Sequence, residues 1–199
     1  MATYIFQQIA NKGKAAGLKS GTEDARDWYR DAAMDIKTVN PSKQLNNRER
    51  TTTKMTAADV GRMYMFQYDP KHKDKLPYYD TFPLIFVLEK YTDGFLGMNL
   101  HYLPPTYRAR LMDRLYAIEM DDTLRESKKL KVSYQMLNSV ARYKYFQPTV
   151  KRYLTNQCRS RFLWIPYEEW DIALMLPTQR FKKGRTSRIW KDSKDIIQG

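Results

Sequence analysis

Between Gly61 and Pro105 lie three runs rich in aromatic and branched residues, separated by short polar segments carrying proline or glycine, and this pattern confines the chain to a fold built on an antiparallel sheet. The first run, residues 63–68, alternates Met63, Met65 and Gln67 with Tyr64, Phe66 and Tyr68. Successive side chains of a strand point to opposite faces, so one face is strongly aromatic. The second run, 82–91, contains the continuous apolar block PLIFVL, which suits a central strand covered on both sides. Tyr91-Thr92-Asp93-Gly94 then predicts a tight hairpin in which glycine takes up a positive φ, and residues 95–103 return as the third strand, with His101 near its end. Two further short strands are expected over 161–166 and 171–176, joined by residues 167–170. The fold class is therefore α+β: a small five-stranded antiparallel barrel of the Src-homology type.

Helices account for the rest. Residues 2–18 place Tyr4, Ile5 and Ile9 on one side, with Gly13 and Gly17 weakening the helix end, and this segment reads as an arm. A second helix starts at Thr22, a capping residue followed by Glu23 and Asp24 at the positive end of the helix dipole, and buries Trp28, Tyr29, Ala32, Ala33 and Ile36. Residues 40–56, NPSKQLNNRERTTTKMT, read as a linker: first a solvated loop, second a basic tether that orders on a partner. Pro104-Pro105 opens a helix with Tyr107, Leu111, Leu115 and Ile118 inside and Arg108, Arg110 and Arg114 on a solvated face, anion contact being the second reading. Leu130, Tyr134, Leu137 and Ala141 recur at helical spacing, and Pro148 is expected to open another helix carrying Val150, Leu154 and a buried Cys158. The organisation is thus a helical arm (1–38), a polar linker (39–60), a barrel with a helical insertion at about 105–158 (61–181), and a basic amphipathic tail (182–199) anchored by Ile189, Trp190, Ile196 and Ile197 on the body or on a neighbour.

The net charge is +13, which implies an anionic partner. Its distribution is uneven: residues 1–60 hold 10 basic and 7 acidic side chains, 61–120 hold 8 and 7, and 121–199 hold 17 and 8. No acidic residue lies between Glu126 and Glu168, a stretch that carries Lys128, Lys129, Lys131, Arg142, Lys144, Lys151, Arg152, Arg159 and Arg161. With Lys182, Lys183, Arg185 and Arg188 of the tail, these are the candidate nucleic-acid contacts, because cations on phosphates release counterions. Tyr134, Tyr143, Tyr145, Phe146, Tyr153, Phe162 and Trp164 are interleaved with them; such rings can stack on bases, but their spacing suits a core better.

Catalytic and metal chemistry finds little support. Cys158 is the one cysteine, so no intramolecular disulfide forms, and with His72 and His101 it makes no zinc spacing. Asp69-Pro70-Lys71 together with Asp59 resembles half of a Mg²⁺-dependent nuclease site, with Asp80 and Glu89 as further ligands, but the spacing is loose and 71–75 reads as a hairpin tip. Asp80 fits a turn cap and His101 a hydrogen-bonded structural role. The expectation is a non-enzymatic protein without cofactor, metal or small-molecule substrate. Nowhere do about 18 apolar residues run together, so no membrane span is expected and a reducing cytoplasm, or a particle assembled in it, is the expected setting.

The blocks YMFQYDPK (64–71), LPYYDTFPLIFVLE (76–89), DGFLGMNLHYLPPTYRARLMDRLY (93–116) and RSRFLWIPYEEWDIALMLPTQRF (159–181), with the opening MATYIFQQI, resemble a family of virion proteins from T-even-like contractile-tailed phages, especially those of marine cyanobacteria. The resemblance implies a protein of the head and tail connection of the DNA end protector type, which caps the packaged genome against host exonuclease. It implies DNA ends and other virion proteins as partners, the virion as location with the host cytoplasm during assembly, and no catalytic residues. The alternative is a structural adaptor of the baseplate or neck that makes only protein contacts.

Overall fold

The computed structural model describes residues 4–46, 50–52, 60–119 and 126–199. Its main sheet contains β1 (Thr51–Thr52), β2 (Met63–Met65), β4 (Leu84–Lys90), β5 (Gly94–Asn99), β6 (Val150–Leu154) and β7 (Phe162–Ile165), ordered β1-β7-β2-β4-β5-β6 with every pair antiparallel. A separate pair joins β3 (Tyr79–Asp80) to β8 (Phe181–Lys182). The alternation expected for the first run holds: Met63 and Met65 point into one core, while Tyr64, Phe66 and Tyr68 point into another. The central strand is covered on both sides in the same way, Leu84, Phe86 and Leu88 on one face and Ile85 and Val87 on the other.

The sheet curls strongly without closing. Phe95 and Phe162 sit on strands three steps apart, about 14 Å in a flat sheet, yet their ring centroids are 5.9 Å apart. Phe66 packs between them, 5.7 Å from Phe95 and 4.6 Å from Phe162. Among the described residues β6 and β7 do not pair; a 3-10 turn, Thr155–Gln157, and a single Tyr68–Cys158 bridge connect them to the end of β2. The closed barrel expected from the sequence is therefore corrected to an open, rolled sheet, because the chain between β6 and β7 takes the 3-10 turn and leaves β6 without a second ladder partner among the described residues.

One of the five expected strands is placed differently, while the strand expected over 161–166 is β7. Residues 171–176 form the helix α6 (Trp170–Met175), in which Trp170, Asp171, Ile172, Ala173 and Leu174 are all buried. A short apolar run has the same appearance in a buried helix and in a buried strand. The sheet gains instead β6, a strand drawn from residues assigned to a helix after Pro148. The four-residue step from Val150 to Leu154 and Cys158 is a multiple of two, so it fits a strand as well as a helix; Pro148 lies in a 3-10 segment, Lys144–Thr149, that ends the helical insertion. The insertion itself is α4 (Pro105–Glu119) and α5 (Glu126–Arg142). The third strand also ends early, and a 3-10 turn at Leu100–Tyr102 carries His101 inward.

The N-terminal helices α1 (Ile5–Ala15) and α2 (Glu23–Met34) share the core formed by the Met63 face of the sheet, α4, α5 and α6; Phe6, Ala25 and Ala33 are fully buried there. Thr22 caps α2 by accepting from the Ala25 N–H. Gly13 lies inside α1, where a Cβ would come within 2.5 Å of the Tyr29 ring, so its role is close helix packing. Part of the polar 40–56 segment is ordered as α3 (Pro41–Gln44), capped by Asn40. The tail forms α7 (Thr186–Gln198) and docks through Ile189 and the indole of Trp190, which donates to the His101 carbonyl at 2.9 Å; Ile196 stays exposed.

Gly94 serves the hairpin by close approach. Its φ is not positive, but a Cβ there would lie 1.9 Å from the Tyr153 carbonyl oxygen, on the backbone of the neighbouring strand. Gly94→Ala must push β6 off β5, and a loss of roughly 1–3 kcal/mol is expected, as for an overpacked core. A urea midpoint equal to that of the wild type would contradict this account.

Candidate nucleic-acid interface

The acid-free stretch resolves into surfaces of different character. On α5, Lys128, Lys131 and Arg142 are exposed, and with the exposed Gln135 they fall at steps of three, four and seven residues along one helix face. From Lys128 to Arg142 this stripe runs about 21 Å at 1.5 Å per residue, the length over which a DNA strand carries about six phosphates at 3.4 Å each. Among the described residues none of the three makes an ion pair with an acidic group. The side chains of Lys129 and Lys144 lie outside the described residues. Tyr143, at the end of this helix, is 65% exposed, whereas Phe146, Tyr153 and Phe162 are core and Tyr134 and Trp164 are half-buried. Most of the interleaved rings thus pack the protein, as their spacing suggested.

Other cations of the set are engaged elsewhere. Arg152 pairs with Asp93 and stacks at 4.0 Å over the Tyr91 ring. Arg159 stands 3.6 Å from Asp69, whose carboxylate also takes Lys73 at 2.9 Å. Lys183 holds a positive φ of 62° and donates its ammonium protons to the carbonyls of Lys73, Asp74 and Leu76, a clamp between the tail and the 70–76 turn. Lys151 sits in a cleft, its Nζ 4.4 Å from the centre of the Tyr102 ring, and burial lowers its pKa. Arg161, Lys182, Arg185 and Arg188 are exposed. So too are Lys191 and Lys194 on α7, which continue the same basic tail.

Behind these surfaces lies a buried polar cluster. The Asp80 carboxylate accepts from the Phe82 and Arg180 backbone N–H groups at 3.0 and 3.1 Å, from Asn99 Nδ2 at 3.3 Å, and bonds His101 Nδ1 at 2.6 Å. Burial alone raises a carboxyl pKa, but these four partners leave that of Asp80 below its ordinary value. His101 is fully buried, which lowers its pKa despite the carboxylate, and its Nε2 faces Thr178 Oγ1 at 3.1 Å. Asp80 therefore caps the turn as expected and also holds the histidine. Arg108, assigned to a solvated face on sequence, is only 2% exposed. Its guanidinium donates to the carbonyls of Leu103, Leu174 and His101, at 2.7, 2.6 and 3.2 Å, under the Trp190 ring. Burial pushes its pKa down to about 9, still well above neutrality, so it remains charged at pH 7.

As to metal chemistry, Asp69 faces two cations, and Asp59 lies outside the described residues. Among the described residues no three His, Cys, Asp or Glu side chains come together in a way that could hold a metal ion. Cys158 is half-buried, with burial pushing its thiol up to about 12 and its Sγ set 3.6 Å from the Leu154 carbonyl. No helix of the described residues is long and apolar enough to cross a membrane.

The chain matches the family described as phage T4 terminal DNA protecting protein over residues 7–193. The match takes in α1, the whole sheet and most of α7. No curated protein matches the chain, and no solved structure does.

Proposed function

Since the chain belongs to the phage T4 terminal DNA protecting protein family, we propose that it shields the ends of a linear phage genome without cutting DNA. The observation that carries this reading is the family match over residues 7–193, nearly the full chain. The DNA backbone lies along the exposed stripe Lys128, Lys131 and Arg142 of α5, with Arg161, Lys182, Arg185 and Arg188 adding charge from β7 and the tail. These side chains are exposed, and contacts of this kind position a protein on phosphates without reading sequence. Protection needs no turnover: a protein bound over a terminus excludes an exonuclease by occupancy. The protein acts in the virion, at the connection of head and tail, after assembly in the host cytoplasm.

The test is binding to blunt linear and to closed circular DNA across a salt series, with exonuclease protection measured in the same samples. Linear DNA is expected to bind more tightly and to survive the nuclease. If six or more phosphates are contacted, affinity falls by roughly 10³-fold or more between 50 and 200 mM salt. Equal binding of both DNA forms would reduce the reading to a general DNA contact. No binding near physiological salt would sink it in favour of a structural adaptor.

A further inference from the structure

On one side of the rolled sheet, β6 and the segment before β3 enclose a cleft of about 350 Å³. This is near the lower end of the range of ligand pockets, roughly 300–1,000 Å³. Tyrosines are prominent in its walls, Tyr68, Tyr78, Tyr102 and Tyr153 among them, while Lys151 and Arg152 contribute cations and Asp80 a carboxylate. The rings are fixed in place. Tyr68 and Tyr153 meet edge to face at 4.9 Å, and Tyr78 and Tyr102 lie 6.1 Å apart. The Tyr68 hydroxyl accepts from the Leu154 N–H, so its own proton is available to an incoming acceptor.

The two cations differ. Arg152 is already satisfied by Asp93 and the Tyr91 ring. Among the described residues no carboxylate pairs with Lys151: burial lowers its pKa, and its ammonium rests on the face of Tyr102. The acid nearest the cleft floor, Asp80, has both oxygens taken by four partners inside the protein. A half-buried ammonium that rests on a ring and has no carboxylate partner among the described residues can still take an anionic ligand.

We infer that this cleft takes the terminal nucleotide of a DNA strand, the phosphate on Lys151 and the base against the tyrosine rings. The inference rests on the end-protecting reading above and gives it a physical source of end preference. Base stacking on an aromatic ring adds affinity and does not depend on which base it is. The cleft is too small for a duplex, so a base enters only where a strand ends and can unpair. Closed circular DNA then reaches the outer cations and not the cleft.

The full chain and its Lys151→Met variant are compared for binding to linear and closed circular DNA at one salt concentration, with thermal midpoints recorded. Methionine keeps the length of the stem and removes the charge. The variant is expected to lose at least tenfold of the linear-over-circular preference while melting close to the wild type, since methionine keeps the stem's packing on the Tyr102 ring. Preserved preference in a folded variant would overturn the cleft assignment and leave end protection standing. A wild-type protein that neither prefers nor protects linear ends would overturn both. Should the variant fail to fold, competition decides with the wild type alone. Thymidine 5′-monophosphate or thymidine 3′-monophosphate at millimolar concentration should release linear DNA and not circular DNA, the more effective of the two telling which terminus is held. Failure of both overturns the assignment.

Discussion

Replacing Arg108 by methionine is expected to remove about 3–5 kcal/mol of stability, because three buried carbonyls lose the charged donor they share. The guanidinium is the common donor to three carbonyls from separate parts of the chain: Leu103 before α4, Leu174 in α6 and His101 in the turn after β5. All three are interior, and each stranded acceptor adds about 1–3 kcal/mol of desolvation penalty unless the site relaxes. The same side chain lies under Trp190, so α7 loses its seat as well. Folded domains have only about 5–15 kcal/mol to lose. Urea unfolding should show a large fall in midpoint, and α7 should become the first segment open to proteolysis. Arg108→Lys should recover only a fraction, because an ammonium on a flexible stem cannot reproduce the planar fork of donors. A loss below about 1 kcal/mol for methionine would mean that water satisfies the carbonyls and that the arginine is not the keystone argued here.

This arginine also marks the limit of what the sequence revealed. Its place on α4 was legible, yet the expectation that a charged residue off the apolar stripe is solvated depends on nothing else covering that face. Here α6 and α7 cover it, and they lie far along the chain. Local alternation worked where a single strand decides the outcome, as at Met63 to Tyr68 and in the block after Pro83. It failed at Val150 to Leu154 and at Ile172 to Leu174, where the spacing or the uniform burial fits both periods. The glycines show the same division. Gly94 was expected for its φ, but its necessity comes from a backbone oxygen 1.9 Å from where a Cβ would stand, on a strand some sixty residues away. The acid-free run was visible as a count of charges. Its separation into an open stripe on α5, a paired Arg152 and a half-buried Lys151 was not, since the last two depend on partners brought in by the sheet. The tyrosine cleft likewise collects residues 68, 78, 102, 151 and 153, which no local pattern connects.

The second large effect concerns that open stripe. Lys128→Glu, Lys131→Glu and Arg142→Glu combined should lower affinity for linear duplex DNA by at least two orders of magnitude near physiological salt while leaving the thermal midpoint almost unchanged. Exposed positions away from caps and packed contacts tolerate substitution within about 0.5 kcal/mol, and all three are exposed. If each cation neutralises one phosphate, each loss also removes about 0.9 from the slope of log affinity against log salt. The triple variant should therefore flatten that slope by nearly three, a signature that a general loss of fold cannot imitate. Sequence preference should stay absent in both proteins, since phosphates carry no base information. The cleft variant separates from this one cleanly: Lys151→Met acts on the ratio between linear and circular DNA, whereas the stripe variant weakens both together. A stripe variant with unaltered affinity and slope would move the DNA path to Arg161 and the α7 cations, where Arg185, Arg188, Lys191 and Lys194 offer the next exposed row.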